Sequence, residues 1–214
     1  MSDVVVVALA GFAAAFVDGA LGMGFGPTSS SILLSSGLSP AAVSATVNIA
    51  KVASGVAGGV AHWRFGNIDR RVVARLAAPG VAGALIGTTI LANVDGDQLR
   101  PILATLLLVI GLRILVRFRA GVTPPTRRDP SGAPDLRGTA VAGAAGGVTN
   151  GLIGTWGPVV TPFLLHRGML PRIVVGSVNT AEVAVATVAA GSLLTTQRGL
   201  DPATIVAMLI GGVL

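Results

Sequence analysis

Two residues of opposite charge, Lys51 and Glu182, each lie near the middle of an apolar segment of this sequence. They are 131 residues apart and occupy the same place in two similar segments, residues 27–51 and 158–182. Nine positions match without a gap, namely those of Pro27, Leu33, Leu34, Gly37, Pro40, Val43, Val47, Asn48 and Ala50. A charge inside a membrane is costly and is kept mainly where it faces a protein interior or pathway. The duplicated charged position therefore predicts a site between two halves.

A glycine-rich break before each repeated segment is the second feature that could carry chemistry. The glycines before Pro27 and Pro158 are Gly22, Gly24, Gly26, Gly154 and Gly157. Glycine lets the backbone bend and approach a ligand, and proline suits the first turn of a helix. Each break thus predicts a helix N-terminus deep in the protein, whose free N–H groups can bind an anion. Close packing of small-residue faces is the alternative for these glycines.

Polar and small residues form one face of the helix that Ser39 and Pro40 predict. They recur at three- and four-residue spacing and are Ser44, Asn48, Lys51, Gly55 and Gly59. Lys51 lies about 17 Å along this helix at ~1.5 Å per residue, close to the middle of a bilayer. Asn179 and Glu182 repeat the pattern in the second copy. A structural Lys51–Glu182 ion pair is the alternative, and it is compatible with exchange of partners with an anion or a proton.

The candidate substrate-binding residues come from the two breaks and the two polar faces. They are Gly24, Phe25, Gly26, Pro27, Thr46, Asn48, Lys51, Trp156, Gly157, Pro158, Ser177 and Asn179. Lys51 would supply positive charge, the helix ends would supply N–H donors, and the amides and hydroxyls would supply further hydrogen bonds. Glu182 is the candidate for proton coupling. For Phe25 and Trp156, packing is an alternative to lining or gating a pocket.

Composition predicts a membrane protein. The mean hydropathy is +0.80 and charged residues make up 11%, far below the roughly one quarter usual in soluble domains. Four apolar stretches are long enough to cross a bilayer, at residues 40–61, 72–92, 99–116 and 171–196. The net charge of +6 comes from arginines in short loops, which topology explains better than nucleic-acid binding. There is no Cys, so disulfide and thiol chemistry are excluded, and we expect no metal site.

The chain divides into two units that we expect to be homologous transmembrane repeats. The first covers residues 1–118 and the second covers residues 138–214, with a basic, Pro-rich linker at 119–137. Each unit opens with a Gly/Pro-broken segment, which predicts a re-entrant or interrupted helix. A last helix is predicted from Pro202, and we expect the second unit to continue beyond Leu214. The predicted fold is an all-α membrane protein, a polytopic helical bundle.

Loop charges predict how the two units are oriented. The basic linker and the loop at 62–71 face the cytoplasm by the positive-inside rule, whereas the acidic loop at 93–97 faces outside. The uncharged loop at 35–39 then lies outside, while its counterpart at 166–172, with two arginines, lies inside. Each broken segment must therefore enter and leave on one side as a hairpin, which leaves three full spans per unit and inverts the units. Four full spans per unit, with parallel repeats, is the alternative.

Short motifs in both units resemble the TauE/SafE sulfite exporter family, also called the toluene-sulfonate uptake permease family. The matching residues in the first unit are Gly19, Gly22, Gly24, Gly26, Pro27, Leu33, Leu34, Gly37, Ala45-Thr46-Val47-Asn48 and Gly66-Asn67-Ile68-Asp69, with a repeat between Gly151 and Asn179. The resemblance covers nearly the whole chain. It implies a multi-pass transporter of the bacterial inner membrane that carries sulfite, sulfonates and related sulfur-containing anions.

We therefore expect a secondary-active transporter with a central anion site, and the resemblance favours export. Coupling to an ion gradient is the default because no nucleotide-binding motif is present. The expected partners are a small sulfur-containing anion and the lipid bilayer, while monomer and homodimer both stay open. A membrane scaffold or assembly subunit without transport activity is the alternative function. No motif supports an enzyme, and we expect no cofactor.

Overall fold

The computed structural model describes residues 2–119, 135–196 and 201–213. Within these ranges the chain forms nine α-helices and no strand, so the predicted all-α fold is confirmed. The helices are α1 (Ser2–Leu21), α2 (Phe25–Ser35), α3 (Pro40–Arg64), α4 (Arg70–Asn93), α5 (Gly96–Arg119), α6 (Thr139–Ile153), α7 (Gly157–His166), α8 (Pro171–Thr196) and α9 (Pro202–Val213). Most of the predicted linker, residues 120–134, lies outside the described residues.

Four of these helices, α3, α4, α5 and α8, are long and apolar enough to cross a membrane. They coincide with the four stretches that hydropathy predicts. The outer face of α5 carries large exposed apolar side chains, at Ile102, Leu108, Val109, Leu112 and Leu115. A continuous apolar surface of this kind suits lipid rather than water. The chain is therefore a multi-pass membrane protein.

Helix boundaries follow local signals in the sequence. α3 begins at Pro40 behind Ser39, whose side chain accepts a hydrogen bond from the first turn. α4 begins behind Asp69, whose carboxylate accepts two N–H groups of that helix. α9 begins at Pro202, as predicted. These caps use the N–H groups that the first turn of a helix leaves unpaired.

Both predicted breaks are present, and each is shorter than the glycine-rich run that predicts it. α1 ends at Leu21 and α2 begins at Phe25, while α6 ends at Ile153 and α7 begins at Gly157. Gly154 ends α6 with φ of +65°, a left-handed backbone conformation that residues other than glycine rarely adopt. The breaks therefore place two helix ends and two helix starts inside the protein.

The second broken segment folds back on itself as a hairpin. Gly138, just before α6, lies beside the Phe163 ring of α7, and Asp135 forms an ion pair with Arg167, just after α7. The N–H of Arg137 and the nearby Arg167 guanidinium hold the pKa of the exposed Asp135 carboxyl below its ordinary value. The start of α6 and the end of α7 thus lie at one end of the molecule. The same arrangement in the first unit, and the inversion of the units, stay predictions.

Close backbone contacts at glycines hold α6 against α4. A Cβ at Gly147 would collide with the carbonyl oxygen of Gly80, and a Cβ at Gly83 would collide with that of Ala144. Small residues let helix backbones approach in this way inside a membrane. α1 packs on α9, and α3 packs on α8 while also touching α6 and α9. This packing sets α3 and α8, which carry Lys51 and Glu182, side by side.

Candidate functional site

A buried ion pair joins Lys51 on α3 to Glu182 on α8. The Lys51 ammonium contacts Glu182 Oε1, and only 6% of the Lys51 side chain and 17% of the Glu182 side chain are exposed. The two charges that the repeat singles out are therefore direct partners. Because burial strips both groups of water, such a pair persists only where further hydrogen bonds satisfy it.

Lys51 has three hydrogen-bond acceptors, which match the three N–H donors of its ammonium group. Besides Glu182 Oε1, they are the carbonyl oxygen of Gly154 at 2.8 Å and Asn150 Oδ1 at 3.2 Å. An anion can reach the ammonium only by replacing one of these acceptors. Of these three acceptors, only the Glu182 carboxylate carries a negative charge, and it can lose that charge by taking up a proton.

The last turn of α6 is held by side chains from α2 and α3. Ser30 donates to the Ile153 carbonyl oxygen at 2.6 Å, and Ser44 donates to that of Gly151 at 2.8 Å. With Lys51, these donors satisfy carbonyl groups that a helix end leaves unpaired. Part of the polar face predicted on α3 thus serves to fix the broken helix α6 in place.

Asn48 belongs to the same buried network and is fully buried. Its Nδ2 donates to the Ser44 carbonyl oxygen at 2.9 Å and to that of Asn150 at 3.2 Å. Its Oδ1 accepts from Asn150 Nδ2 at 2.6 Å. The Asn48 amide is therefore committed to protein partners on both sides, and the expectation that it binds substrate gains no support from its position.

A cavity of about 220 Å³ opens beside the ion pair. That volume is well above the ~10–15 Å³ that one water molecule needs, so a small hydrated anion fits. The cavity lies between the two broken segments and the polar faces of α3 and α8. Its lining consists of Asp18, Gly22, Met23, Phe25, Gly26, Lys51, Ser54, Gly55, Gly58, Gly157, Asn179 and Glu182.

The structure brings about half of the predicted site residues to this cavity. Those that line it are Phe25, Gly26, Lys51, Gly157, Asn179 and Glu182. Those that do not are Gly24, Pro27, Thr46, Asn48, Trp156, Pro158 and Ser177. The first group comes from both halves of the chain, so the cavity lies between the halves, where the duplicated charge predicts a site.

Two residues of the second group have structural contacts of their own. Trp156 is fully buried and packs its ring where Gly80 and Gly146 leave space, which is the packing alternative. The Ser177 hydroxyl accepts a hydrogen bond from the N–H of Asp69 at 2.9 Å and so ties α8 to the start of α4. Both residues shape the bundle around the cavity without facing it.

Asp18 changes the expected chemistry of the first helix N-terminus. Asp18 Oδ1 accepts from the N–H of Gly24 at 2.7 Å and from that of Phe25 at 3.1 Å. These donors at the start of α2 are the ones expected to hold an anion, and a carboxylate of the protein already holds them. Sequence reasoning missed this role, although Asp18 begins the first break as Asn150 begins the second.

Two further residues that line the cavity lie at helix starts. Gly26 is the second residue of α2 and Gly157 is the first residue of α7. The first four N–H groups of a helix have no partner within that helix. Asn179 and Ser54 add an amide and a hydroxyl to the lining. In the described part of the chain, no group of three His, Cys, Asp or Glu side chains could hold a metal ion.

Comparisons with known proteins agree with a place in a membrane. A family model described as "Sulfite exporter TauE/SafE" matches residues 7–214. The chain is also similar to the "Probable membrane transporter protein YtnM" of Bacillus subtilis (strain 168), with 39% identity over 197 residues. This alignment covers 91% of the chain, which spans 65% of the length of that relative. No solved structure matches the chain.

Proposed function

Because the chain belongs to the TauE/SafE sulfite exporter family, we propose that it carries out secondary-active transport of a small sulfur-containing anion. The anion is sulfite, a sulfonate or a related organosulfur oxyanion, and it crosses the bacterial inner membrane. The family description supports export as the direction. Because the anion and a proton bind together in the exchange described below, the energy for transport comes from the gradients of both ions. The activity, substrate and partners of the whole protein are all part of this proposal.

The observation that carries the proposal is the buried Lys51 ammonium at the edge of a polar cavity between the two halves. Among the described residues that line this cavity, it is the lone cation. An ionisable residue that faces a cavity inside a membrane protein is by default a candidate for the pathway of a substrate or an ion. An oxyanion there would find Lys51, the amide of Asn179, and backbone N–H groups at Gly26 and Gly157.

Binding at Lys51 requires a change of partners. An incoming oxyanion takes the place of Glu182 Oε1, because the other two acceptors are a carbonyl and an amide fixed by α6. The displaced carboxylate would then be an unpaired charge in the interior, which costs several kcal/mol. Uptake of one proton by Glu182 removes that charge. One anion on Lys51 therefore accompanies one proton on Glu182, and release of the anion reverses both steps.

Anion binding and flux by the purified protein test this proposal. Sulfite and methanesulfonate should raise the thermal midpoint of unfolding in a concentration-dependent manner, since a ligand that binds only the native state stabilises it. Chloride at equal ionic strength is the control. In proteoliposomes, the same two anions should move when a pH gradient is applied.

A membrane scaffold or assembly subunit is the competing function. It would show neither anion-dependent stabilisation nor flux, and it would co-purify with a partner protein in fixed stoichiometry. Absence of binding by every sulfur anion tested, together with such a partner, would overturn the transporter proposal.

A further inference from the structure

Asp18 is a second carboxylate in the cavity, and the ion-pair exchange at Lys51 does not use it. It lies near the end of α1 and holds the start of α2 through the N–H groups of Gly24 and Phe25. The same cavity is lined by Lys51 from α3 and Glu182 from α8. When these groups are ionised, the lining carries one positive and two negative charges.

A carboxylate at this place takes the hydrogen bonds that a bound oxyanion would take. N–H groups at a helix N-terminus favour negative charge, and hydrogen bonds to an ionised acceptor are stronger than neutral ones. The second half differs at the corresponding position. There Asn150, a neutral amide, begins the break, and its Oδ1 contacts Lys51 instead of capping α7.

We propose that Asp18 is the resident anion of the α2 N-terminus and that it sets the affinity of the cavity for its substrate. This inference rests on the proposed anion transport. Asp18 occupies donors that the substrate would otherwise share, and its charge repels an anion bound at Lys51. Both effects weaken binding, which lets an anion leave the site again during a transport cycle.

Asp18→Asn separates these effects from a purely structural role. Asparagine caps helix N-termini about as well as aspartate, so the start of α2 keeps its acceptor while the charge is lost. An anion in a cavity of 220 Å³ lies within roughly 10 Å of each lining group. At an effective dielectric constant of about 20, removal of a like charge at that distance tightens binding by roughly tenfold. If Asp18 served only as a helix cap, Asp18→Asn would bind the anion equally well or more weakly.

The experiment measures methanesulfonate affinity of the purified full chain from pH 5 to pH 8. Methanesulfonate keeps its charge over this range, so changes in affinity come from the protein. We expect parent affinity to rise as pH falls, because protonation of Glu182 removes a negative charge that faces Lys51. Asp18→Asn should bind roughly tenfold tighter near neutral pH. Asp97→Asn, the same charge change on an exposed residue in the first turn of α5, is the control and should match the parent.

The outcomes separate this inference from the proposed function. If the parent binds methanesulfonate and Asp18→Asn binds it equally or more weakly, Asp18 is only a cap and the inference is wrong. If neither protein binds methanesulfonate or sulfite at any pH, the proposed function fails as well. Should Asp18→Asn not fold, Asp18→Ser offers a second neutral acceptor, and the same gain in affinity is required of it.

Discussion

Replacement of Lys51 by methionine tests the central ion pair most directly. Methionine keeps much of the length of the lysine side chain and removes its charge, so Glu182 is left ionised and unpaired with only 17% of its side chain exposed. Removal of one partner of a buried pair costs about 3–5 kcal/mol. In a domain of about 200 residues, each kcal/mol moves the thermal midpoint by roughly 2–4 °C. Lys51→Met should therefore lower the midpoint by about 6–20 °C.

The double variant Lys51→Met/Glu182→Gln should recover much of this loss, because it removes the stranded carboxylate. Recovery should be incomplete, since Asn150 Oδ1 and the Gly154 carbonyl oxygen still lack the donor that Lys51 gave them. Each buried acceptor left without a partner costs roughly 1–3 kcal/mol. Neither variant should bind sulfite or methanesulfonate, because both lack Lys51, the one cation among the cavity-lining residues in the part of the chain that the structure describes.

The assay is unfolding of the parent, both single variants and the double variant in the same detergent, which gives the coupling energy between the two side chains. Arg167→Met is the matched control, because its ion pair with Asp135 is largely exposed and should contribute little. Equal stability of Lys51→Met and the double variant would refute a buried charge pair. Anion binding by Lys51→Met at parental strength would show that Lys51 is structural and that the site assignment is wrong.

Further predictions concern coupling, topology, packing and pH. Glu182→Gln should still bind anion yet lose the response of flux to a pH gradient in proteoliposomes; an unchanged response would exclude it as the coupling group. Gly168→Cys should react with a membrane-impermeant thiol reagent only from the cytoplasmic side, and reaction from outside only would favour parallel repeats. Gly147→Ala should destabilise the α4–α6 contact by about 1–3 kcal/mol, whereas Gly111→Ala, where a Cβ meets nothing within 4 Å, should cause no loss; equal effects would refute the close approach. Because the pKa of Asp135 is lowered in the folded protein, its contribution to stability is present at neutral pH and is lost as pH falls below about 4. The difference in thermal midpoint between Asp135→Asn and the parent should therefore shrink on acidification, and a difference that persists at low pH would argue against this account.

The sequence alone determined the membrane class, the four long spans and the positions of the two breaks. These features depend on local chemistry, because lipid requires uninterrupted apolar runs and Gly and Pro act on the backbone where they occur. The ion pair between Lys51 and Glu182 could also be predicted from the sequence. Two opposite charges at equivalent places in a duplicated segment have few other ways to be satisfied inside a membrane.

The tertiary structure alone decided which polar groups face the cavity and which are consumed in holding the bundle together. Asn48 and Lys51 share one predicted face of α3, yet Asn48 is closed off by Asn150 while Lys51 reaches the cavity. Likewise, no pattern in the sequence predicts that the Asp18 carboxylate accepts hydrogen bonds at the start of α2. Such roles depend on how broken helices that are far apart in the chain meet. A hydrogen bond is made or lost when its two atoms move by about an ångström. Helical periodicity tells only which face of a helix a residue occupies.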